Sequence, residues 1–268
     1  MLGPKTVASI DVGTTKVCTV LARLDWTEKL KILGVSSIPS KGLWKGEVVN
    51  VEEAARSIMK SVAEVQKTCG ETVTSAYIGI TGSHVTCVNN HNVVGISRNF
   101  RYFASGMVNR VLEKARDEST RPDTEVLHVI PRSYTLDGQR RPGNPYGVRG
   151  NSLEMETHVI TGMIERINLL VRSVQEAGIQ VRGLVIEPLA SGEAVLTQEE
   201  RELGVVLADI GGGSTDVATF TEGGIWNTSV LPVGGNHITG DLAAWLDIDF
   251  RKAEKIKVKY GHALPDEV

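Results

Sequence analysis

The sequence predicts an α/β fold of two lobes, and three observations predict it. An internal repeat opens each half of the chain. β-branched apolar runs alternate with helically spaced segments in both halves. A central block of different texture interrupts the first half. The repeat is VASIDVGTTKVCTV at Val7–Val20 and VLADIGGGSTDVATF at Val206–Phe220. Each copy reads as an apolar strand ending in Asp, a Gly/Thr/Ser turn and a second apolar strand.

Taken in order, Val7–Asp11 is a strand broken by Gly13, Lys16–Arg23 resumes it, and Lys31–Ser37 is the next strand. Val51, Ala54, Ala55, Ile58, Val62 and Val65 recur at helical spacing, which predicts a helix over Val51–Lys67. Thr74–Thr81 is a strand stopped by Gly82. The central block then gives strands at His84–Val88 and His91–Ile96, a helix over Ser105–Asp117, and strands at Glu125–Thr135 and Leu153–Thr161. Between the last two lies a Gly/Pro-punctuated turn region, Asp137–Gly150. From Arg98 to Arg149 there are ten Lys/Arg and six Asp/Glu, a local charge of +4, which marks a small α+β insertion. Beyond it come a helix over Ile164–Ala177 capped by Gly178, a strand at Gln180–Ile186 and a short helix from Pro188 to Leu196. The second half gives a strand at Gly204–Ile210 and a hairpin of Asp216–Thr221 with Ile225–Pro232. Two helices, His237–Leu246 and Phe250–Tyr260, follow.

Composition narrows the function. The 268 residues carry 29 basic and 32 acidic side chains, a net of −3, which argues against a general nucleic-acid binder. No apolar run approaches the ~18 residues of a membrane span, and the first residues carry no charged-then-apolar leader, so the expectation is a cytoplasmic chain. Cys18, Cys69 and Cys87 match neither a disulfide framework nor a metal site and read as small buried hydrophobes. His84, His128 and His158 lie 44 and 30 residues apart in strand-like runs, which fits packing or hydrogen bonding better than metal ligation. The Arg-rich stretch Arg132–Arg149 reads as a solvated or protein-contacting face. Glycine is the unusual number, 28 residues.

The repeat says where those glycines matter. A turn of Gly, Ser and Thr offers backbone N–H groups and hydroxyls to phosphate oxygens. An Asp at the strand end can hold a hydrated Mg²⁺. Two copies, with Asp11 and Asp209 separated by 209 − 11 = 198 residues, would clamp a nucleoside triphosphate from both sides. The plainer alternative is a pair of ordinary glycine-turn hairpins.

Asp11-Val12-Gly13-Thr14-Thr15-Lys16 and Asp209-Ile210-Gly211-Gly212-Gly213-Ser214-Thr215-Asp216 resemble the two phosphate motifs of the actin, sugar kinase and DnaK superfamily. Ile186-Glu187-Pro188-Leu189-Ala190 is similar to its connecting helix. The resemblance implies an actin-like, ribonuclease H-like ATPase fold with ATP and Mg²⁺ as cofactors. It assigns phosphate contacts to Gly13, Thr14, Thr15, Lys16 and Gly211, Gly212, Gly213, Ser214 and Thr215. It places metal-bound water at Asp11 and Asp209, and gives Glu187 and Asp209 the attacking water. Val233-Gly234-Gly235 opens a helix where Gly234 and Gly235 would approach nucleotide. Glu254 and Lys257 are similar to the ribose and base contacts of bacterial actins; their alternative is a solvated i,i+3 pair.

The insertion sorts the relatives. Its position, with Ile80–His84, His128–Pro131, Asn144–Gly147, His158–Gly162 and the segment Gly42–Asn50, resembles the FtsA family of bacterial cell division. Four segments follow: 1–82 and 163–196 for the first lobe and connecting helix, 83–162 for an SHS2-type insertion, and 197–268 for an incomplete second lobe. The resemblance implies filament formation, binding of the FtsZ C-terminal tail, other divisome partners on the insertion, and no nucleic acid. It also implies attachment to the cytoplasmic membrane at the septum through a C-terminal helix absent from this sequence. Any turnover would be slow, making the protein an ATP-dependent scaffold before an enzyme. A pilus adaptor of the PilM type and a small-molecule kinase are the competing readings, though no further catalytic base stands out for the latter. The second half as it stands would leave apolar sheet surface uncovered.

Overall fold

The computed structural model describes residues 5–25, 27, 29–95, 105–141 and 148–264. The chain opens with an antiparallel meander, β1 (Lys5–Val12), β2 (Lys16–Leu24) and β3 (Leu30–Pro39). Alternation sends Ala8, Ile10 and Val12 of β1 and Val17 and Leu21 of β2 into the core. A two-stranded ribbon, β4 (Leu43–Trp44) and β5 (Glu47–Val48), turns through Lys45 and Gly46, both at positive φ (50° and 82°). That is the left-handed pair a tight two-residue hairpin needs.

Helix α1 (Val51–Cys69) starts where the Asn50 side chain accepts from the Glu53 N–H, and it ends at Gly70 in the left-handed region. Its buried stripe, Ala54, Ile58, Val62 and Val65, seals one face of the sheet. Strand β6 (Ser75–Ile80) then pairs parallel to β1.

The insertion follows: β7 (Thr86–Gly95), α2 (Ser105–Ser119), β8 (Thr124–Leu136), β9 (Gln139–Arg141) and β10 (Ser152–Met163). Its antiparallel sheet runs β7-β10-β8-β9, with Val108 and Val111 of α2 packed on Leu136, Leu153 and Met155. Here one sequence expectation is corrected. His84–Val88 and His91–Ile96 are not separate strands: β7 is continuous, because Asn89 and Asn90 pair with His158 and Thr157 of β10 instead of turning. The Asn90 side chain is further occupied by Ser119, 2.8 Å away. Ile96 and Asn144–Gly147 lie outside the described residues.

The chain returns through α3 (Ile164–Glu176), packed against α1, to β11 (Gln180–Ile186), which completes a five-stranded sheet of order β11-β6-β1-β2-β3. Helix α4 (Glu187–Val195) crosses to the second half. A short helix, α5 (Gln198–Leu203), follows; it is absent from the sequence reading, although Thr197 and Glu200 form its capping box. A second meander, β12 (Val205–Ile210), β13 (Thr215–Thr221) and β14 (Gly224–Leu231), leads to α6 (Gly235–Leu246) and α7 (Phe250–Tyr260).

One face of this second sheet packs on α4 through Leu207, Ala218, Phe220 and Ile225. On the other, Val206, Ile210 and Leu231 are exposed. The three cysteines are free and half-buried, not fully buried as read, and the Cys87 thiol donates to the Thr228 carbonyl. Among the described residues no helix is long and apolar enough to cross a membrane.

Candidate functional site

The two repeats fold into matching hairpins that meet across a cleft. In the first, Asp11 and Val12 pair with Cys18 and Val17, and the Gly13 N–H closes the turn on the Lys16 carbonyl at 3.0 Å. In the second, Asp209 and Ile210 pair with Asp216 and Thr215, and the Gly211 N–H closes on the Ser214 carbonyl at 2.9 Å. The Asp at each strand end therefore occupies the same place relative to its turn.

The turns also touch each other. A Cβ on Gly212 would stand 2.2 Å from Thr15 Cγ2, and one on Gly213 would stand 2.6 Å from Thr14 Oγ1. Glycine is required there because the threonines of the facing hairpin fill the space. The β4–β5 ribbon joins the same junction: the Gly46 N–H donates to Thr14 Oγ1 at 2.8 Å, and Gly46 also sits against Thr81 and Ser214.

Between the hairpins lies a cleft of about 550 Å³, lined by Asp11, Gly13–Lys16, Gly211–Ser214 and, at its base, Glu187 and Asp209. Both Glu187 and Ser191 are on α4, so a single helix carries an acid and a hydroxyl to the cleft floor. Ser191 donates to Asp209 at 2.6 Å. Thr81, at the end of β6, donates to Asp216 at 2.6 Å and so ties the first lobe to the second.

Four carboxylates thus crowd a site that has Lys16 as its nearby cation. Burial, joined by the charges of Asp11, Asp216 and Asp209, holds Glu187 well above the usual carboxylate range. Glu187 hydrogen-bonds Asp11, whose own carboxyl is raised by burial and by Asp209 while Lys16 opposes the rise. Burial pushes Asp216 up to about 6, against the Thr81 hydrogen bond. Among the described residues no three acids, thiols or imidazoles stand close enough to hold a bare ion, so carboxylates beside turns of glycine and hydroxyl residues could meet a divalent cation carrying phosphate only through its water shell. The residues present fit Mg²⁺ and a nucleoside triphosphate on that ground.

Not every expected residue reaches the cleft. Thr215 turns its hydroxyl to the Val233 carbonyl at 2.7 Å. Gly234 and Gly235 open α6, but the Gly235 and Asn236 N–H groups are taken by the Gly211 and Gly212 carbonyls at 2.9 and 2.8 Å. The helix start braces the second hairpin. Glu254 and Lys257 form an ion pair at 2.7 Å on α7, both bound to Thr239, and Lys257 also reaches the Gly235 carbonyl. They lie outside the lining of the cleft. Asp216, Ser191 and Thr81 belong to the site but were not singled out in the sequence. The first stands in the quoted second motif, so its signal was present; the two hydroxyls carry no local signal.

The histidines occupy separate places. His128 Nε2 accepts from the Ile186 N–H at 3.2 Å, one residue before Glu187, and His158 lies fully buried between Asn89 and Thr228. Burial lowers the pKa of His84, of His128 and of His158, the last to about 4, so all three are neutral near pH 7. Arg132 and Arg140, of the Arg-rich stretch, contact Trp226 and Glu222 of the second lobe.

Similarity to known proteins gives the family. The family model "SHS2 domain inserted in FTSA" matches residues 82–161, and "Cell division protein FtsA" matches 206–268. The FtsA of Pseudomonas aeruginosa is 37% identical over 97% of this chain and 62% of its own length. That of Borreliella burgdorferi is 38% identical over 97% of the chain and 63% of its own. Among solved structures, a PilM–PilN type IV pilus biogenesis complex superposes with a TM-score of 0.68 at 17% identity, covering 95% of this chain and 70% of that one. This last likeness shows the fold alone.

Paired meanders, facing hairpins and a four-stranded insertion define an actin-like α/β protein with an SHS2-type insertion. The chain belongs to the FtsA family of cell division proteins. It spans about three fifths of the length of the curated relatives it matches.

Proposed function

We propose that the cleft binds Mg·ATP, and that the protein serves as a nucleotide-dependent scaffold of cell division. Thr14, Thr15 and Lys16 from one side and Gly211–Ser214 from the other take the phosphates. Asp11 and Asp209 hold the water shell of the metal, whose chemistry is to neutralise and orient the phosphate oxygens. Glu187, hydrogen-bonded to Asp11, and Asp209, held by Ser191, would orient a water. The protein as a whole polymerises, takes the FtsZ C-terminal tail, meets other divisome proteins through the insertion and works at the membrane of the septum. These roles rest on family membership.

One observation carries the nucleotide reading: two hairpins closed by the same turn bond, from distant parts of the chain, face each other over a cluster of buried and half-buried acids. Calorimetric titration of Mg·ATP into the 268-residue chain is the test. Micromolar binding in the parent and none in Asp209→Ala supports the reading; equal heats in both, or no heat in either, overturns it for this chain.

A further inference from the structure

The insertion leaves the first lobe after β6 and re-enters it at α3, yet its sheet is also bonded to the second lobe. The bonds converge on β14. Cys87 Sγ donates to the Thr228 carbonyl at 3.2 Å and lies 3.3 Å from Asn227 Oδ1. Asn89 Nδ2 donates to the Trp226 carbonyl at 3.3 Å. His158 Nε2 meets Thr228 Oγ1 at 3.1 Å, and the Arg132 guanidinium lies 3.5 Å over the Trp226 ring. Arg140 pairs with Glu222 at the β13–β14 turn. Ile130 of β8 packs against the cores of both lobes.

β14 is the edge of its sheet, so its outward carbonyls have no strand to pair with. Side chains of β7 take them instead. The seam so formed is narrow and mostly polar. Arg132 Nε and Nη2 are buried in it with no hydrogen-bond partner among the described residues. Buried unpaired donors weaken a contact relative to a fully bonded one, so such a seam can part.

The seam also adjoins the crossing between lobes. Ile186 and Pro188, at the start of α4, share a small void with Val85 of the insertion and Thr228–Val230 of β14. β14 pairs in turn with β13, placing Asp216 opposite Val230. Besides the covalent crossing, the Thr81–Asp216 bond and the contact between the turns, the seam is thus a further connection between the lobes.

We propose that the inserted sheet is a strap: its seam with β14 fixes how the second lobe turns relative to the first, and parting of the seam sets the rate at which the cleft opens. Loss of the seam speeds exchange of the cleft's ligand, and locking the seam slows it. The exchange readout rests on the nucleotide reading above; the seam itself does not.

Two measurements separate them. In Asn227→Cys the new thiol faces Cys87, and oxidation closes a disulfide across the seam. Release of a fluorescent ATP analogue should slow by about tenfold when oxidised and recover on reduction. Independently, peptide-resolved alkylation reads seam opening at Cys87, with Cys18 and Cys69 as references. Trp226→Ala, which removes the stacking platform, should speed alkylation of Cys87 about tenfold over the parent and leave the references unchanged. If Trp226→Ala does not fold, Asn89→Ala, which deletes one bond, replaces it, with a smaller increase.

A disulfide that forms without changing release overturns the strap. So does a Cys87 alkylation rate that is the same in parent and variant. If no form binds the analogue, the nucleotide reading fails, and the alkylation rates alone decide whether the seam parts.

Discussion

The two hairpins are the same device built from different residues, and the difference lies in what each must do for the other. Both close their turn with one N–H to carbonyl bond three residues apart, and both place an Asp two residues before the closing glycine. The first turn carries Thr14 and Thr15; the second carries Gly212 and Gly213, because the threonines occupy the room a Cβ would need. Opposite Asp11 stands Cys18, and opposite Asp209 stands Asp216. The second hairpin therefore brings two acids and no bulk, and the first brings bulk, a lysine and one acid. A glycine-rich turn is usually read as room for a ligand. Here part of that room is already filled by the other half of the protein.

The largest expected effect comes from removing the shared element of the comparison. Asp209→Ala and Asp11→Ala should each weaken Mg·ATP binding by at least about a hundredfold, measured by calorimetry at fixed magnesium. They should differ in the ligand-free protein. Asp11→Ala leaves Glu187 without its acceptor but relieves the crowding of charge, so urea unfolding should show it no less stable than the parent.

Next in size is the contact between turns. Gly212→Ala drives a Cβ into Thr15, and overpacking of this kind costs about 1–3 kcal/mol. The hairpins must separate, and binding should fall about tenfold. Thr15→Gly removes the obstruction. In the Gly212→Ala, Thr15→Gly double variant most of the stability should return, so the cycle should give a coupling of about 1 kcal/mol or more. Strict additivity would mean that the turns do not touch in solution.

A smaller effect separates the residues opposite the two Asp side chains. Burial lifts Asp216 from 3.8 in the ordinary state to about 6 in the folded chain. Above pH 6 the group is ionised in both states, and its desolvation is a standing cost to the fold. As pH falls from 6 toward 4 the folded state takes up a proton that the unfolded chain does not, so stability from this group rises. Asp216→Asn keeps an acceptor for Thr81 and has no charge to bury. It should be more stable than the parent by about 2 kcal/mol at pH 7.5 and about equal to it at pH 4.5. Urea midpoints at the two pH values check this; a gain of the same size at both would assign the effect to packing.

Much of this was legible in the sequence because it is local. The hairpin pattern, the helical stripe of α1, the strand β11 and the N-terminal acid of α4 all depend on neighbours within a few residues, and each stands where the spacing put it. What was not legible depends on distant partners. Asn89 and Asn90 look like a turn until β10 lies beside them. The half-burial of Cys87 follows from its place at the seam with β14, and Ser191 and Thr81 become site residues only when Asp209 and Asp216 arrive from another part of the chain. Gly234 and Gly235 follow the same logic: the sequence shows a helix start able to bind an anion, and only the fold shows that the Gly211 and Gly212 carbonyls already use its donors. α5 is the exception, since its Thr197–Glu200 capping box is a local signal.

The smallest expected effect is the sharpest test of equivalence. A Cβ on Gly13 would lie 3.1 Å from the Lys16 carbonyl oxygen, and a Cβ on Gly211 would lie 3.1 Å from that of Ser214. Neither glycine is in the left-handed region, so alanine brings no backbone strain and limits the unfolded chain slightly. The remaining cost is the close oxygen contact, which a small shift of the turn relieves. Gly13→Ala and Gly211→Ala should therefore each change stability by about 1 kcal/mol or less and agree with each other within about 0.5 kcal/mol. The Gly211 carbonyl also holds α6 through Gly235. If Gly211→Ala costs distinctly more than Gly13→Ala, the brace from α6 is rigid and the second hairpin cannot adjust. Equal costs would mean that the turns yield alike, so that the asymmetry between the hairpins lies in their side chains alone.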